Sequence, residues 1–110
     1  MAHPEFQIKT GKDNQFYFNL TAKNGQVILS SEGYKSKDGC EKGVDSVKKN
    51  APDDKKYERK VAKDGQHFFL LKAGNGEPIG KSEMYKTKDS MENGIESVKN
   101  NAPIAGIHYL

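Results

Sequence analysis

Apolar and polar residues alternate along the first part of the chain with the period of β-strands. Residues 5–10 (EFQIKT) and 16–22 (FYFNLTA) place apolar side chains at every second position, as a strand with one buried face requires. Residues 26–30 (QVILS) indicate a third strand. Asn24 and Gly25 precede that strand and are typical of a type I′ hairpin turn. Three antiparallel strands are therefore expected first.

A helical period follows the strands. Small or apolar residues recur at spacings i, i+3, i+4 and i+7, which mark one stripe of an α-helix. The residues of this stripe are Cys40, Gly43, Val44 and Val47. Ser36 stands where an N-cap belongs. Asn50 stands near the C terminus of this predicted helix, where asparagine can adopt the left-handed cap conformation, and Pro52 follows it. The unit is therefore β-β-β-α.

The whole pattern occurs twice. Aligning the chain with itself at an offset of 51 pairs residues 6–52 with 57–103 without a gap, and 24 of these 47 pairs are identical. A unit of about 50 residues is too small to bury a sufficient core alone. We therefore predict one domain, residues 1–110, made of two repeats at about 1–56 and 57–110.

The expected fold class is α+β. Two tandem β-β-β-α(-β) repeats would form one antiparallel sheet with two helices on one face. Gly43 and Gly94 lie on the apolar stripes of the helices, although glycine in a helix interior costs ~1 kcal/mol relative to alanine. We interpret both as points where a helix approaches the sheet closely. The sheet positions that would face them are Phe18, Leu20, Ala22, Phe69, Leu71 and Ala73.

Three motifs connect these repeats to a known family. They are NGQVILSSEGY (24–34), NGEPIGKSEMY (75–85) and NGIESVKNNAP (93–103), the last with its first-copy partner. The chain resembles the YegP-like family of small bacterial proteins over almost its whole length. The resemblance implies that the C-terminal strands are exchanged between the repeats, and it implies no particular activity.

The chain departs from that family at one place. The family's second strand tends to place arginines on the open face, the face of the sheet away from the helices. This chain has Tyr17, Asn19, Phe68 and Leu70 at those positions. An aromatic, partly basic sheet face of this kind could stack nucleobases. The favoured alternative is that the chain's own terminal segment or another subunit covers Phe68 and Leu70, and both a monomer and a homodimer stay open.

The charge composition of the chain also disfavours nucleic-acid binding. The net charge is only +3, from 18 basic and 15 acidic residues, and Arg59 is the one arginine. Lysine lacks the bidentate fork with which arginine binds phosphates and bases. A solvated lysine surface is therefore favoured over a nucleic-acid footprint.

The helix starts form a second candidate site. Helix N-termini present unpaired N–H groups, and neighbouring lysines add attraction for anions. The candidate anion-binding residues are Lys35, Ser36, Lys37, Lys86, Thr87 and Lys88. Against this, Asp38 and Asp89 already complement the helix dipole. The preferred interpretation is that these lysines are ordinary solvated surface.

Catalytic and metal sites find little support in the sequence. Ser31-Glu32 and its twin Ser82-Glu83 have no histidine at a fixed spacing, so bracing of the loop before the helix is preferred over catalysis. Cys40, the single cysteine, fits a small buried apolar residue, and no metal or cofactor motif occurs.

These observations lead to one functional hypothesis and one alternative. The absence of a secretory h-region, of a ~20-residue apolar span and of a second cysteine favours a cytoplasmic protein without a membrane association. A non-enzymatic binding or interaction module ranks first. A weak nucleic-acid binder that uses the open sheet face ranks second, and an enzyme third.

Overall fold

The computed structural model describes residues 3–110. It contains strands β1 (Glu5–Thr10), β2 (Phe16–Thr21), β3 (Val27–Ser30), β4 (Tyr57–Val61), β5 (His67–Lys72), β6 (Pro78–Lys81) and β7 (Gly106–Tyr109), helices α1 (Lys37–Asn50) and α2 (Lys88–Asn101), and short 3₁₀ turns at Asp54–Lys56 and Ala102–Ile104. The predicted α+β class and the twofold β-β-β-α order are confirmed.

The strands of residues 3–110 form one sheet in the order β4-β5-β6-β3-β2-β1-β7. The two repeats meet where Ser30 of β3 pairs with Lys81 of β6. These two residues occupy equivalent positions, 51 residues apart, so a pseudo-twofold axis passes through this pair. Six strands are therefore related in pairs by this axis, and β7 lies outside them, beyond β1.

The exchange of C-terminal strands is confirmed. α1 begins in the first repeat and contacts β5 and β6 of the second, while α2 contacts β3 of the first. Each helix thus crosses the sheet and delivers the following strand to the other repeat. β4, the strand that follows α1, pairs with β5 of the second repeat, and β7, the strand that follows α2, pairs with β1 of the first repeat.

One strand pair differs from the expected antiparallel arrangement. β7 runs parallel to β1, whereas the other five pairs among residues 3–110 are antiparallel. Only strands joined by a tight turn have to be antiparallel. Because α2 separates β7 from the preceding strands, β7 is free of that constraint, and the sheet is mixed.

A single layer of apolar side chains lies between the sheet and the two helices. The predicted helix stripes are buried in both repeats: Cys40, Gly43, Val44 and Val47 in α1, and Met91, Gly94, Ile95 and Val98 in α2. They pack with strand residues from both repeats, including Phe6, Phe18, Leu29, Phe69 and Leu71. The two copies therefore share one core.

The helix glycines make room for tyrosines more than for the strands. A Cβ on Gly43 would lie 2.7 Å from Tyr34 Cζ and 3.1 Å from Phe18 Cε2, and a Cβ on Gly94 would lie 2.7 Å from Tyr85 Cζ. The close approach is confirmed, but the residue approached is the tyrosine that follows β3 or β6. Burial raises the pKa of both phenols.

A third glycine explains a difference between the copies. Gly80 and Leu29 are equivalent positions beside the pseudo-twofold axis, and a Cβ on Gly80 would lie 2.6 Å from Leu29 Cγ. Only one large side chain fits at that point of a close-packed core. The first repeat supplies it, and the second leaves the space free.

The N-caps are placed as the sequence indicates. The Ser36 hydroxyl accepts from Gly39 N–H at 3.0 Å, and the Thr87 hydroxyl accepts from Ser90 N–H at 3.0 Å. Each cap satisfies one of the N–H groups that a helix start leaves without a partner inside the helix.

The expected left-handed asparagine caps are wrong. Both helices end on right-handed residues, Ala51 and Ala102. Asn50 is buried and its amide donates to Ser46 O at 2.8 Å, and Asn101 makes the equivalent bond in α2. A buried amide is better satisfied inside its own helix than at a solvated turn.

The hairpin turn at Asn24-Gly25 also differs from the expected type I′ turn. Gly25 has φ +84°, whereas Asn24 does not have the positive φ that type I′ requires at both central residues. Gly25 N–H donates to Ala22 O at 2.9 Å and Ala22 N–H to Gln26 O at 2.9 Å, so the loop begins one residue earlier than expected. The result is a longer hairpin loop that ends on a left-handed residue.

Candidate binding site on the open face of the sheet

One face of the sheet lies opposite the helices. Cross-strand partners share a face, so the pairing registers trace a row of side chains across both repeats. From one side to the other the row contains Gln7, Asn19, Ser30, Lys81, Leu70 and Glu58. All six side chains are half-buried or exposed.

The terminal segment does not cover this face. The C-terminal segment forms β7 at the edge beside β1, and four strands separate it from β5, which carries Phe68 and Leu70. The hypothesis that the chain's own end shields these two residues is therefore wrong for the C-terminal segment, and residues 1 and 2 lie outside the described part of the chain. Both are half-buried.

The two aromatic residues of this face are already engaged. The Tyr17 hydroxyl donates to Asp13 Oδ2 at 2.6 Å, which raises the pKa of the phenol and lowers that of the carboxyl. A Cβ on Gly11 would lie 2.6 Å from Tyr17 Cε2, so the ring rests against backbone. The Nζ of Lys81 lies 5.1 Å from the centroid of the Phe68 ring. Neither ring is a bare stacking platform.

A depression of about 270 Å³ lies beside the junction of the repeats. β3 and β6 pair only through Ser30 and Lys81, so the strands separate on either side of that pair. The lining residues are Ser30, Ser31, Glu32, Leu70, Pro78, Gly80 and Lys81. Leu70 and Pro78 supply apolar surface, while Glu32 and Lys81 supply one charge of each sign. We refer to this depression as the junction cleft.

Sequence reasoning placed Leu70 on the open face and considered Ser31-Glu32 only as a catalytic pair, and it did not identify Pro78, Gly80 or Lys81. A signal was nevertheless present, because the copies diverge there. Pro78, Gly80 and Lys81 stand where the first copy has Val27, Leu29 and Ser30. The copies therefore supply different side chains to the two sides of the cleft.

The predicted anion sites at the helix starts are not equivalent to each other. The Nζ of Lys37 lies 4.3 Å from the centroid of the Tyr109 ring, and the Tyr109 hydroxyl donates to Glu41. β7 therefore borders the start of α1. Thr87 and Lys88 form the start of α2, in the other repeat. Lys35 and Lys86 are exposed. Anion binding at these residues stays a prediction.

The serines before the helices brace their loops as predicted. The Ser31 hydroxyl accepts from Phe18 N–H and donates to Glu32 O, both at 2.9 Å. Ser82 makes the same two bonds in the second repeat, at 2.9 and 2.8 Å. Each hydroxyl hydrogen is held by a carbonyl of its own loop.

An ion-pair network ties β4 to α2 at the edge of the sheet. Arg59 donates to Glu92 at 2.6 Å and to Asp54 at 3.0 Å, and Lys99 donates to Asp54 at 2.8 Å. These bonds lower the pKa of both carboxyls. Their stabilising contribution is present above the ordinary carboxyl pKa and is lost as the pH falls through the lowered values.

Two further observations bear on the site chemistry. Cys40 is buried, and burial raises the pKa of its thiol. Within residues 3–110, no group of three His, Cys, Asp or Glu side chains is arranged to hold a metal ion. In the same part of the chain, neither helix has the length and apolar character that a membrane crossing requires.

Comparison with known proteins places these features in a family. The model of a domain of unknown function, DUF1508, matches residues 12–58 and again residues 62–108. Each match runs from the loop before the second strand of a repeat into the strand after its helix.

Relatives and solved structures agree with this match. The UPF0339 protein in the ptx operon 5′ region of Stutzerimonas stutzeri is 54% identical over 102 residues, which cover 93% of this chain and 92% of that protein. The UPF0339 protein YegP of Escherichia coli is 50% identical over 96 residues, 87% of each chain.

Two solution NMR structures have the same fold. The structure of Escherichia coli YegP, a protein of unknown function, has a TM-score of 0.93 and 44% identity and covers 99% of this chain and 94% of that one. The UPF0339 protein SO3888 of Shewanella oneidensis has a TM-score of 0.92 and 39% identity, with 100% and 92% coverage. The chain therefore belongs to the UPF0339 family, the family of YegP, and carries two copies of the DUF1508 domain.

Proposed function

We propose that this chain is a non-enzymatic binding module whose ligand site is the junction cleft. The observation that carries the proposal is the lining of the cleft, which combines an apolar wall with one cation and one anion. Its volume of about 270 Å³ is just below the ~300–1,000 Å³ typical of small-molecule sites. A compact ligand fits such a site better than a large cofactor.

The lining also suggests the chemistry of the ligand. Lys81 attracts a carboxylate, Glu32 attracts an ammonium group, and Leu70 with Pro78 offers surface to an apolar side chain. A small molecule that carries all three features, such as a free apolar amino acid, complements this arrangement. Charged groups fix the orientation of a ligand in such sites, while apolar contact supplies much of the affinity.

Two observations support a binding role over catalysis. The hydroxyl hydrogens of Ser31 and Ser82 are engaged with loop carbonyls, so neither is hydrogen-bonded to a base that could activate it. The lining of the cleft contains no histidine or cysteine. We also propose a cytoplasmic location, because the one cysteine is a buried core residue and the fold needs no disulfide.

A weak nucleic-acid binder is the second candidate. Lys81, Lys60 and Lys72 lie on the same face as Phe68, which favours contact with phosphates. It ranks lower because Tyr17 is held by Asp13 and the Phe68 ring is covered on one side by Lys81, so stacking would first have to break these contacts.

Titration of the ¹⁵N-labelled protein with single free amino acids tests the proposal. We expect amide shifts to concentrate at residues 30–32, 70 and 79–81 with at least one apolar amino acid. Lys81→Glu and Glu32→Lys should each weaken binding about tenfold, equivalent to ~1.4 kcal/mol, since each replaces an attraction by a repulsion. Lys63→Glu makes the same charge change as Lys81→Glu, but in an exposed turn, and it should leave the affinity for the amino acid unchanged.

Two results would contradict the proposal. One is a complete set of saturating titrations that leaves those amides unmoved. The other is a sub-micromolar, sequence-selective complex with a short RNA or DNA that Phe68→Ala abolishes, which would move the nucleic-acid interpretation into first place, since non-specific binding lies at ~10⁻⁴–10⁻⁶ M.

A further inference from the structure

The two edges of the sheet are protected differently. The edge strand β4 carries Glu58, Arg59 and Lys60, and Arg59 is tied to Glu92 of α2. Charged side chains on an edge strand oppose pairing with another strand. The opposite edge strand, β7, reads Gly106-Ile107-His108-Tyr109 and contains no lysine, arginine, aspartate or glutamate.

The outer side of β7 presents a definite set of backbone groups. Gly106 N–H donates to Pro4 O at 3.3 Å, and Leu110 N–H donates to Ile8 O at 2.9 Å, so these alternate residues face β1. Successive residues of a strand direct their N–H and C=O groups to opposite sides. The N–H and C=O groups of Ile107 and Tyr109 therefore point away from the sheet, where no further strand of residues 3–110 lies.

Apolar side chains accompany these unpaired groups. Four of the six large hydrophobic residues that are exposed in the described part of the chain lie in or beside β7. They are Ile104, Ile107, Tyr109 and Leu110, between 41% and 71% exposed. Lys37 and Glu41 of α1 contact Tyr109 but lie outside the strand, so β7 itself is uncharged. An uncharged edge strand with exposed apolar side chains is the arrangement from which strand pairing between chains starts.

We infer that β7 pairs antiparallel with β7 of a second copy of this chain, about a twofold axis at His108. In this register Ile107 of one copy lies opposite Tyr109 of the other, and the two residues exchange both backbone hydrogen bonds. The same pair forms again on the other side of the axis, so all four outward N–H and C=O pairs find partners. The edge is complementary to itself, which favours a second copy over an unrelated strand.

The side chains suit the same register. Ile107 and Tyr109 pair with Phe6 and Ile8 of β1, so they lie on the helix face of the sheet and would form two apolar cross-strand pairs in the dimer. A four-residue strand buries little area, and interfaces below ~1,200 Å² belong to the weak, transient class. The dimer therefore forms at high protein concentration and leaves the junction cleft unchanged.

Sedimentation of the full chain over a range of about 10 μM to 1 mM tests the inference, since weak interfaces of this class dissociate in that range. The average mass should rise from monomer toward dimer with concentration. His108→Lys and His108→Glu each place two like charges directly opposite at the axis, so each variant alone should stay monomeric. An equimolar mixture of the two should associate, because every mixed dimer pairs opposite charges.

Two further variants separate this edge from others. Ile107→Pro removes an outward N–H and none of the bonds to β1, so it should also stay monomeric, whereas Val61→Lys at the β4 edge should behave as the unmodified chain. A mass that stays monomeric for the unmodified chain up to ~1 mM overturns the inference. So does a charge-swapped mixture that associates no more than its components, or a loss of association in Val61→Lys alone.

Discussion

Gly43→Leu and Gly94→Leu should each lower the free energy of unfolding by about 1–3 kcal/mol, and the corresponding alanine variants should lie at the lower end of that range. Helix propensity alone predicts the opposite sign, since glycine is ~1 kcal/mol worse than alanine in a helix interior. The packing decides, because a Cβ at either position would lie 2.7 Å from the Cζ of Tyr34 or Tyr85. Urea denaturation of each variant gives the change.

A control and a cycle isolate the cause. A Cβ on Gly74 would meet nothing within 4 Å, and Gly74 has no positive φ, so Gly74→Ala should be neutral or stabilising by up to ~1 kcal/mol. Tyr85→Phe removes the hydroxyl nearest to Gly94, so the double variant Tyr85→Phe/Gly94→Ala should lose less stability than the two single changes sum to. Raised melting temperatures for both Gly43→Leu and Gly94→Leu would refute the packing explanation.

Residues 1–56 expressed alone should not form a folded monomer. The fragment lacks β5 and β6, against which α1 packs, and it lacks β7, which pairs with β1. Leu29, fully buried in the whole chain, would lose its neighbour at Gly80. We expect either a poorly dispersed amide spectrum or a dimer in which a second fragment replaces the missing copy.

The fragment experiment has a complementary arm. Mixing residues 1–56 with residues 57–110 should give the dispersed spectrum of the intact chain, because each fragment supplies half of the core. A well-dispersed spectrum from residues 1–56 at the mass of a monomer would show that one copy is sufficient, and the shared-core account would then be wrong.

Local periodicity predicted most of the fold because local and tertiary preferences agree in this chain. The alternation in residues 5–10 and 16–22 indicated two strands, and the stripe containing Val44 and Val47 indicated the helix, since in each case one face had to be buried. The helix glycines were recognisable because a residue that disfavours a helix needs a packing reason to be there.

The misses arise where tertiary contacts override a local preference. Asparagine tolerates the left-handed conformation, but Asn50 is buried and finds its hydrogen bond within the helix. Nothing local to Gly106–Tyr109 encodes its direction, because β7 pairs with a strand about 100 residues earlier in the chain. Strand direction follows from the path of α2 across the sheet.

The candidate site was predicted only in outline for a similar reason. The alternation of β5 placed Phe68 and Leu70 on the open face, as found. The junction cleft, however, depends on where two strands from different repeats stop pairing, and no local pattern reports that. Comparing the copies with each other is more informative, because Leu29 and Gly80 differ for the reason that they meet at the axis.

The central claim is that the two copies form one cooperative domain, and residue-resolved urea unfolding followed by NMR tests it most directly. Amides of β2 in the first repeat and β5 in the second should lose their native signals at one common midpoint with one common slope, as two-state unfolding requires. Separate midpoints for the two repeats, with one copy still native after the other has unfolded, would contradict the account.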